Sequence, residues 1–449
     1  MQSEQQYIDL FRAQRQLIDE HSAAPMNVRR DEAFSAFQRL GFPTKKCEEY
    51  RYTDVPTLFA PDYGVNLARL QFPVDPYRSF RCDVPNLSTS LYFVVNDSFY
   101  KNALPKASLP EGVTVGSLKD EAAKNPHFIE KYYGKLAAID TDAIAALNTM
   151  LAQDGLVVRI PRGVQVERAI QVVNILRSDV DLMVNRRVLI VLEQGASAKL
   201  LFCDDSADDR RFLGTQVIEV FLDENANLEL YCLEKTHTKN TRLSNLYIRQ
   251  ASGSRLHHNI VTLHNGTTRN TTRVELCGEG AECELNGCVV ADQQQHVDNN
   301  TLIDHRAPHC QSSELYKYVL DGHSTGAFAG RVLVRPGAQQ TVSQETNQNL
   351  CASREARMFT QPMLEIYADD VKCAHGSTVG QLNDAALFYM RQRGIPLDEA
   401  RLLLELAFVG EVVDTVRLIP LRDRLHHLVQ KRFRGELSQC DQCGLKKKK

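Results

Sequence analysis

Hydrophobic positions along the chain change their period from one stretch to the next. Ile8, Phe11, Leu17 and Ile18 fall at roughly helical spacing, and Phe34 and Phe37 repeat it before Pro43. Residues 43–54 read as a loop, and residues 90–96 as a short strand ending in the Asn96-Asp97 turn. Residues 119–135 and 141–153 return to the helical period, which gives way near Gly155 to strand-like alternation lasting to Gly380. Beyond that point Asn383 or Asp384 can cap a helix running through Arg393, Gly394 suits its C′ position, and Pro396 suits the first turn of the next helix. Leu402, Leu403, Leu406, Val409, Val413 and Val416 form one broad stripe on that helix, Pro420 is expected to end it, and Leu421, Leu425 and Leu428 mark a last one. The expected organisation is a helical and mixed region over 1–154, an all-strand core over 155–380, a helical region over 381–436 and a tail over 437–449.

The all-strand stretch repeats itself. Turns centred on Gly163, Gly195, Asn225, Gly253, Gly280, Pro308 and Gly337 stand 27 to 32 residues apart, a period near 29, with no helical pattern between them. A propeller blade needs about 40 residues and ankyrin-type units contain helices, so stacked coils of a parallel β-helix fit best, with a β-sandwich as the alternative. Gly and Asn at the corners suit a chain that must turn sharply with positive φ. The open end of such a stack is a ready edge for pairing with another chain.

Composition narrows the function. With 449 residues the chain has room for a large core, and its net charge of −3 lacks the basic excess of a nucleic-acid-binding domain. No cationic start precedes an apolar run, and no run reaches membrane-spanning length, so the chain reads as cytosolic, with its 12 cysteines reduced. The phosphate-cradling Gly-x-x-x-x-Gly-Lys-Ser/Thr run is absent, as are Gly-x-Ser-x-Gly and His-Glu-x-x-His, so any nucleotide energy would come from another subunit.

Candidate chemistry concentrates where strand gives way to helix. On a strand, Cys373 and His375 point to the same face, bringing together a thiolate and an imidazole, a pair that suits iron, zinc or copper and equally suits packing. His257 and His258 face opposite ways, and with His305, His309 and Cys310 they read as structural or surface residues. Cys277, Cys283 and Cys288 read as buried thiols, and Cys440-Asp-Gln-Cys443 beside four terminal lysines as a solvated end. A β-helix lyase or hydrolase would need clustered carboxylates, for which Asp369-Asp370 is the one tempting pair, its members expected on opposite sides.

Three segments carry a family likeness: Gly330-Arg-Val-Leu-Val-Arg-Pro-Gly-Ala-Gln-Gln-Thr-Val-Ser-Gln-Glu-Thr-Asn-Gln-Asn-Leu350, Asp369-Asp-Val-Lys-Cys-Ala-His-Gly376, and Leu387-Phe-Tyr-Met-Arg-Gln-Arg-Gly-Ile395. With Pro43-Thr-Lys-Lys-Cys-Glu-Glu-Tyr-Arg-Tyr-Thr53, they make the chain resemble the SufB/SufD family of iron–sulfur cluster assembly scaffolds, in its SufD-like version. The resemblance implies a right-handed parallel β-helix flanked by helices, pairing with SufB through the β-helix ends, and two copies of the ATPase SufC docked on the C-terminal helices. It implies that His375, with Cys373 as a neighbour, helps hold transient iron or a nascent cluster, with no tightly bound cofactor in the isolated chain. It places the SufC-binding surface on Leu387, Phe388, Tyr389, Arg391, Arg393, Leu402, Leu403, Leu406 and Phe408. A homodimer through the same edge is the alternative for the isolated protein. The family pattern gives no role to Cys440 and Cys443, and the chain lacks the Cys-rich N-terminal motif of SufB.

Overall fold

From Leu156 onward the alternating pattern becomes a stack of parallel rungs shared between two sheets. A computed structural model describes residues 3–76, 88–102, 105 and 109–437. One sheet runs from Leu156–Ile160 through Leu182–Leu192, Phe212–Leu222, Thr241–Gln250, Thr267–Leu276, His296–His305 and Thr325–Val334 to Arg357–Ile366. The other runs from Thr89–Val95 through Ala169–Leu176, Ser197–Ser206, Asn227–Lys235, Arg255–His264, Glu282–Ala291, Gln311–Leu320 and Thr341–Cys351 to Val371–Gly380. The chain visits the sheets alternately, and successive rungs pair in parallel, which makes the core a β-solenoid. Its first rung on the second sheet comes from residues 89–95, ahead of the point where alternation takes over.

The corners hold the stack in register. Gly163, Gly195, Asn225, Gly253, Gly280 and Gly337 all have positive φ. The amide of each corner from Gly195 to Gly280 donates to a carbonyl at the next, so the corners form a ladder of their own. At Gly253 a Cβ would overlap the side chain of Asn225 one coil below. The sixth corner is His309, with φ 59°, and not Pro308: the proline ring fixes φ near −65° and cannot take the left-handed position.

Helices cover both outer faces. The helix Ala143–Leu151 is buried along its whole length and packs on Met183, Leu213, Val217, Leu243 and Tyr247 of the first sheet. On the second sheet, Val409, Val412 and Val413 of the helix Leu397–Asp414, Val416 just past its end and not on its stripe, and Leu421, Leu425 and Leu428 of the helix Ile419–Phe433 cover Val173, Leu201, Val261 and Val319. Burying each such side chain contributes about 1.5–3 kcal/mol. Pro420 stands in the first turn of the last helix and does not end the preceding one, which stops at Asp414. That is the helical position where a missing N–H costs nothing.

The loop spanning residues 43–54 straps the outer face of the first sheet toward its C-terminal end. Tyr50 lies under the Arg269 guanidinium, 4.0 Å from carbon to ring centre, and Arg269 pairs with buried Asp298. Thr53 donates to Asp298 at 2.6 Å, Arg273 donates to Glu49 at 2.9 Å, and Tyr52 stacks on Phe359 at 4.3 Å. Gln361 donates to Glu48 at 2.9 Å, which carries the strap onto the sheet's last rung.

Candidate functional site

The rung Val371–Gly380 ends its sheet, with Thr341–Cys351 on one side and, among the described residues, no strand on the other. Inward positions along it are Val371, Cys373 and His375, so the thiol and the imidazole do share a face. The two differ in environment. Cys373 is half-buried against Val332, Val334, Ala338 and Ala368, and burial pushes its thiol above the ordinary range. His375 is exposed. Among the described residues no three His, Cys, Asp or Glu side chains converge on a metal-sized point, so this rim offers part of a ligand set.

Behind the rim the lumen turns from apolar to polar. One interior column reads Leu200, Leu230, His258, Leu285, Glu314, Glu345, His375, each in register with the next. A second column reads Cys283, Ser312, Ser343, Cys373. Here the Ser312 and Ser343 hydroxyls stand 2.8 Å apart and His305 Nε2 lies 2.9 Å from Ser312. Glu314 is 2 % and Glu345 0 % exposed, and among the described residues their carboxyl oxygens have no hydrogen-bond partner apart from the Thr301 hydroxyl beside Glu314. Burial pushes Glu314 up to about 7. Burial, reinforced by Glu314, pushes Glu345 up to about 9. This pair was missed in the sequence because Glu314 and Glu345 are 31 residues apart, although that spacing is one coil and both fall at inward positions. Asp369 and Asp370 lie exposed in the bend before the last rung, not on opposite faces of a strand.

The other candidate ligands are structural. His258 points inward with Nδ1 2.9 Å from the Leu230 carbonyl, and burial lowers it to about 4, as it does His305. His257 sits 2.6 Å from Glu284, which also accepts from Arg417, so the pair helps tie the C-terminal helices down. His309 is a corner residue, and Cys310 is buried. Cys283 and Cys288 are buried as expected, whereas Cys277 is exposed, beside Glu275. Cys440 and Cys443 lie outside the described residues.

Of the helical surface expected to dock a partner, Phe388 and Tyr389 stand 65 % and 60 % exposed, with Arg391, Arg393 and Leu403 also at the surface. Arg393 donates to the Tyr389 hydroxyl at 3.0 Å, pinning one cation beside the ring. Leu387 and Leu402 are buried, while Leu406 and Phe408 pack on the solenoid, with Lys317 4.7 Å from the Phe408 ring centre. These four residues support the surface and do not form it. The stripe read along the long helix divides accordingly, its C-terminal half facing the sheet.

The family of the SUF system FeS cluster assembly SufBD core domain matches residues 175–408, and that of the SufBD protein N-terminal region matches residues 1–172. The chain belongs to the SufBD family. A SufBD family iron–sulfur cluster assembly protein of Synechocystis is 29 % identical over 406 residues, with 87 % of each chain covered. The iron–sulfur cluster assembly protein SufD of Escherichia coli is 27 % identical over 400 residues, covering 88 % of this chain and 90 % of its own. SufD of Bacillus subtilis is 24 % identical, covering 78 % and 81 %. Membership of this family makes iron–sulfur cluster assembly in the SUF system the function. Among the described residues no helix is long and apolar enough to cross a membrane.

Proposed function

We propose that this chain is the SufD-type subunit of a SufB–SufC–SufD scaffold, a non-catalytic cytoplasmic protein that helps acquire iron and form the nascent cluster where its solenoid end meets SufB. The observation that carries this reading is the exposed His375 on a rung whose outer edge has no neighbouring strand among the described residues. An imidazole there is half of a ligand set that a thiol-bearing second solenoid can complete, and open backbone groups along the same strand supply the pairing. Cys373, with its raised thiol pKa, is the weaker ligand until a metal draws its proton. ATP hydrolysis belongs to SufC, docked on the surface around Phe388, Tyr389, Arg391, Arg393 and Leu403. Iron and cluster pass through as cargo, and the isolated chain holds no tightly bound cofactor.

Anaerobic iron and sulfide loading of the reconstituted complex tests this. His375→Ala is expected to leave SufB and SufC bound and to abolish the visible absorption of the assembled cluster. Unimpaired loading in that variant would remove His375 from the mechanism.

A further inference from the structure

The lumen behind His375 holds chemistry that a packed solenoid does not need. The column carrying Glu314 and Glu345 is filled by Leu200, Leu230 and Leu285 at other rungs, so leucine satisfies the packing. Glutamate at two successive rungs instead stacks two carboxyls on strands about 4.8 Å apart, with no hydrogen-bond partner beyond Thr301 among the described residues. Across the lumen the hydroxyl of Thr301, itself 2 % exposed, faces Glu314 as a hydrogen-bonding neighbour and has no other partner among the described residues. The position after Thr301 in that column is Gly330, where a Cβ would overlap the Glu345 carboxyl. Two acids and a hydroxyl thus meet in the lumen, the Glu345 carboxyl lying against Gly330, a single rung from the open end.

We propose that Glu314, Glu345 and the Thr301 hydroxyl form a holding site for a hard divalent cation inside the mouth of the solenoid. An all-oxygen donor set suits ions of the Mg²⁺, Mn²⁺ and Fe²⁺ kind, water completing the coordination. Two carboxylates also balance the double charge that makes burial of either one alone costly. The cation enters past His375, which stands in register directly above Glu345. That the cargo is ferrous iron rests on the proposed function, whereas the site itself does not.

Manganese is the probe, added to the isolated full-length chain and followed by the loss of its free-ion paramagnetic resonance signal. One tight Mn²⁺ per chain is expected. Glu345→Gln and Glu314→Gln should each weaken it by more than the roughly tenfold that losing even an outer-sphere partner costs. Thr301→Val, close in shape and safe for folding, should weaken it less, and His375→Ala should leave it in place. Absence of a tight ion in the native chain, or binding indifferent to Glu345→Gln and Thr301→Val, would overturn the site. Because His375→Ala retains the ion here but loses cluster formation in the complex, this site and the cluster role at the rim fail independently.

Discussion

His258 and His305 point into a closed stretch of lumen, where burial drives both imidazoles down to about 4 and keeps them neutral. His375 occupies the same kind of inward position one rung from nothing, and stays in water. What separates a structural histidine from a usable one in this chain is its distance from the open end. The glutamates between them predict a pH dependence. Glu345 rises from 4.5 to about 9, so the folded chain holds a proton that the unfolded chain releases. Stability from that group is complete below 4.5 and is lost as pH rises through about 9, with Glu314 adding its own loss as pH climbs to about 7. Above pH 6.5, where the lowered His258 and His305 no longer add stability as pH rises, thermal melting should show the native chain weakening toward about pH 9, and Glu345→Gln should flatten the slope. A native melting point independent of pH would contradict the burial argument. That Cys373 and His375 share a face was legible from their spacing, and the family resemblance singled them out; the glutamates were not legible, because seeing them requires laying the coils over one another.

At the scale of elements, caps and stripes in the sequence located the C-terminal helices well. Asn383 accepts from the Ala386 amide, and Gly394 takes positive φ just past the helix Asp384–Gln392. Which stripe faced the sheet was less legible, because apolar residues surround the helix Leu397–Asp414 on more than one side. The distinction has a measurable consequence. Leu425→Ala, which removes a side chain wedged between helix and sheet, should cost about 2–5 kcal/mol in denaturant unfolding. Phe388→Ala and Tyr389→Ala should change stability by only about 0.5 kcal/mol while weakening association with SufC in a binding titration. Losses of stability in the second pair to match the first would mean that those rings are packed, not presented.

For the whole molecule, the repeat near 29 residues was enough to give the solenoid, since turns at that interval without helices leave few other folds. Two features escaped it. Thr89–Val95 reads as a lone strand, yet it pairs with Ala169–Leu176, a partner some eighty residues on that no local pattern identifies. The strap from residues 43–54 reads as loop, and only the fold shows that Glu48, Glu49, Tyr50, Tyr52 and Thr53 brace the sheet beside the open end. The open end is thus a braced platform: helices back one sheet, the strap backs the other, and Arg357–Ile366 and Val371–Gly380 are the two terminal strands among the described residues. Alternate amides of Val371–Gly380 point away from Thr341–Cys351, toward an edge that no strand among the described residues fills. Hydrogen exchange of that strand, compared between the monomeric chain and its complex with SufB, measures this most directly. The account predicts fast exchange at alternate residues around His375 in the monomer and strong protection in the complex; a strand that exchanges equally fast in both would contradict it.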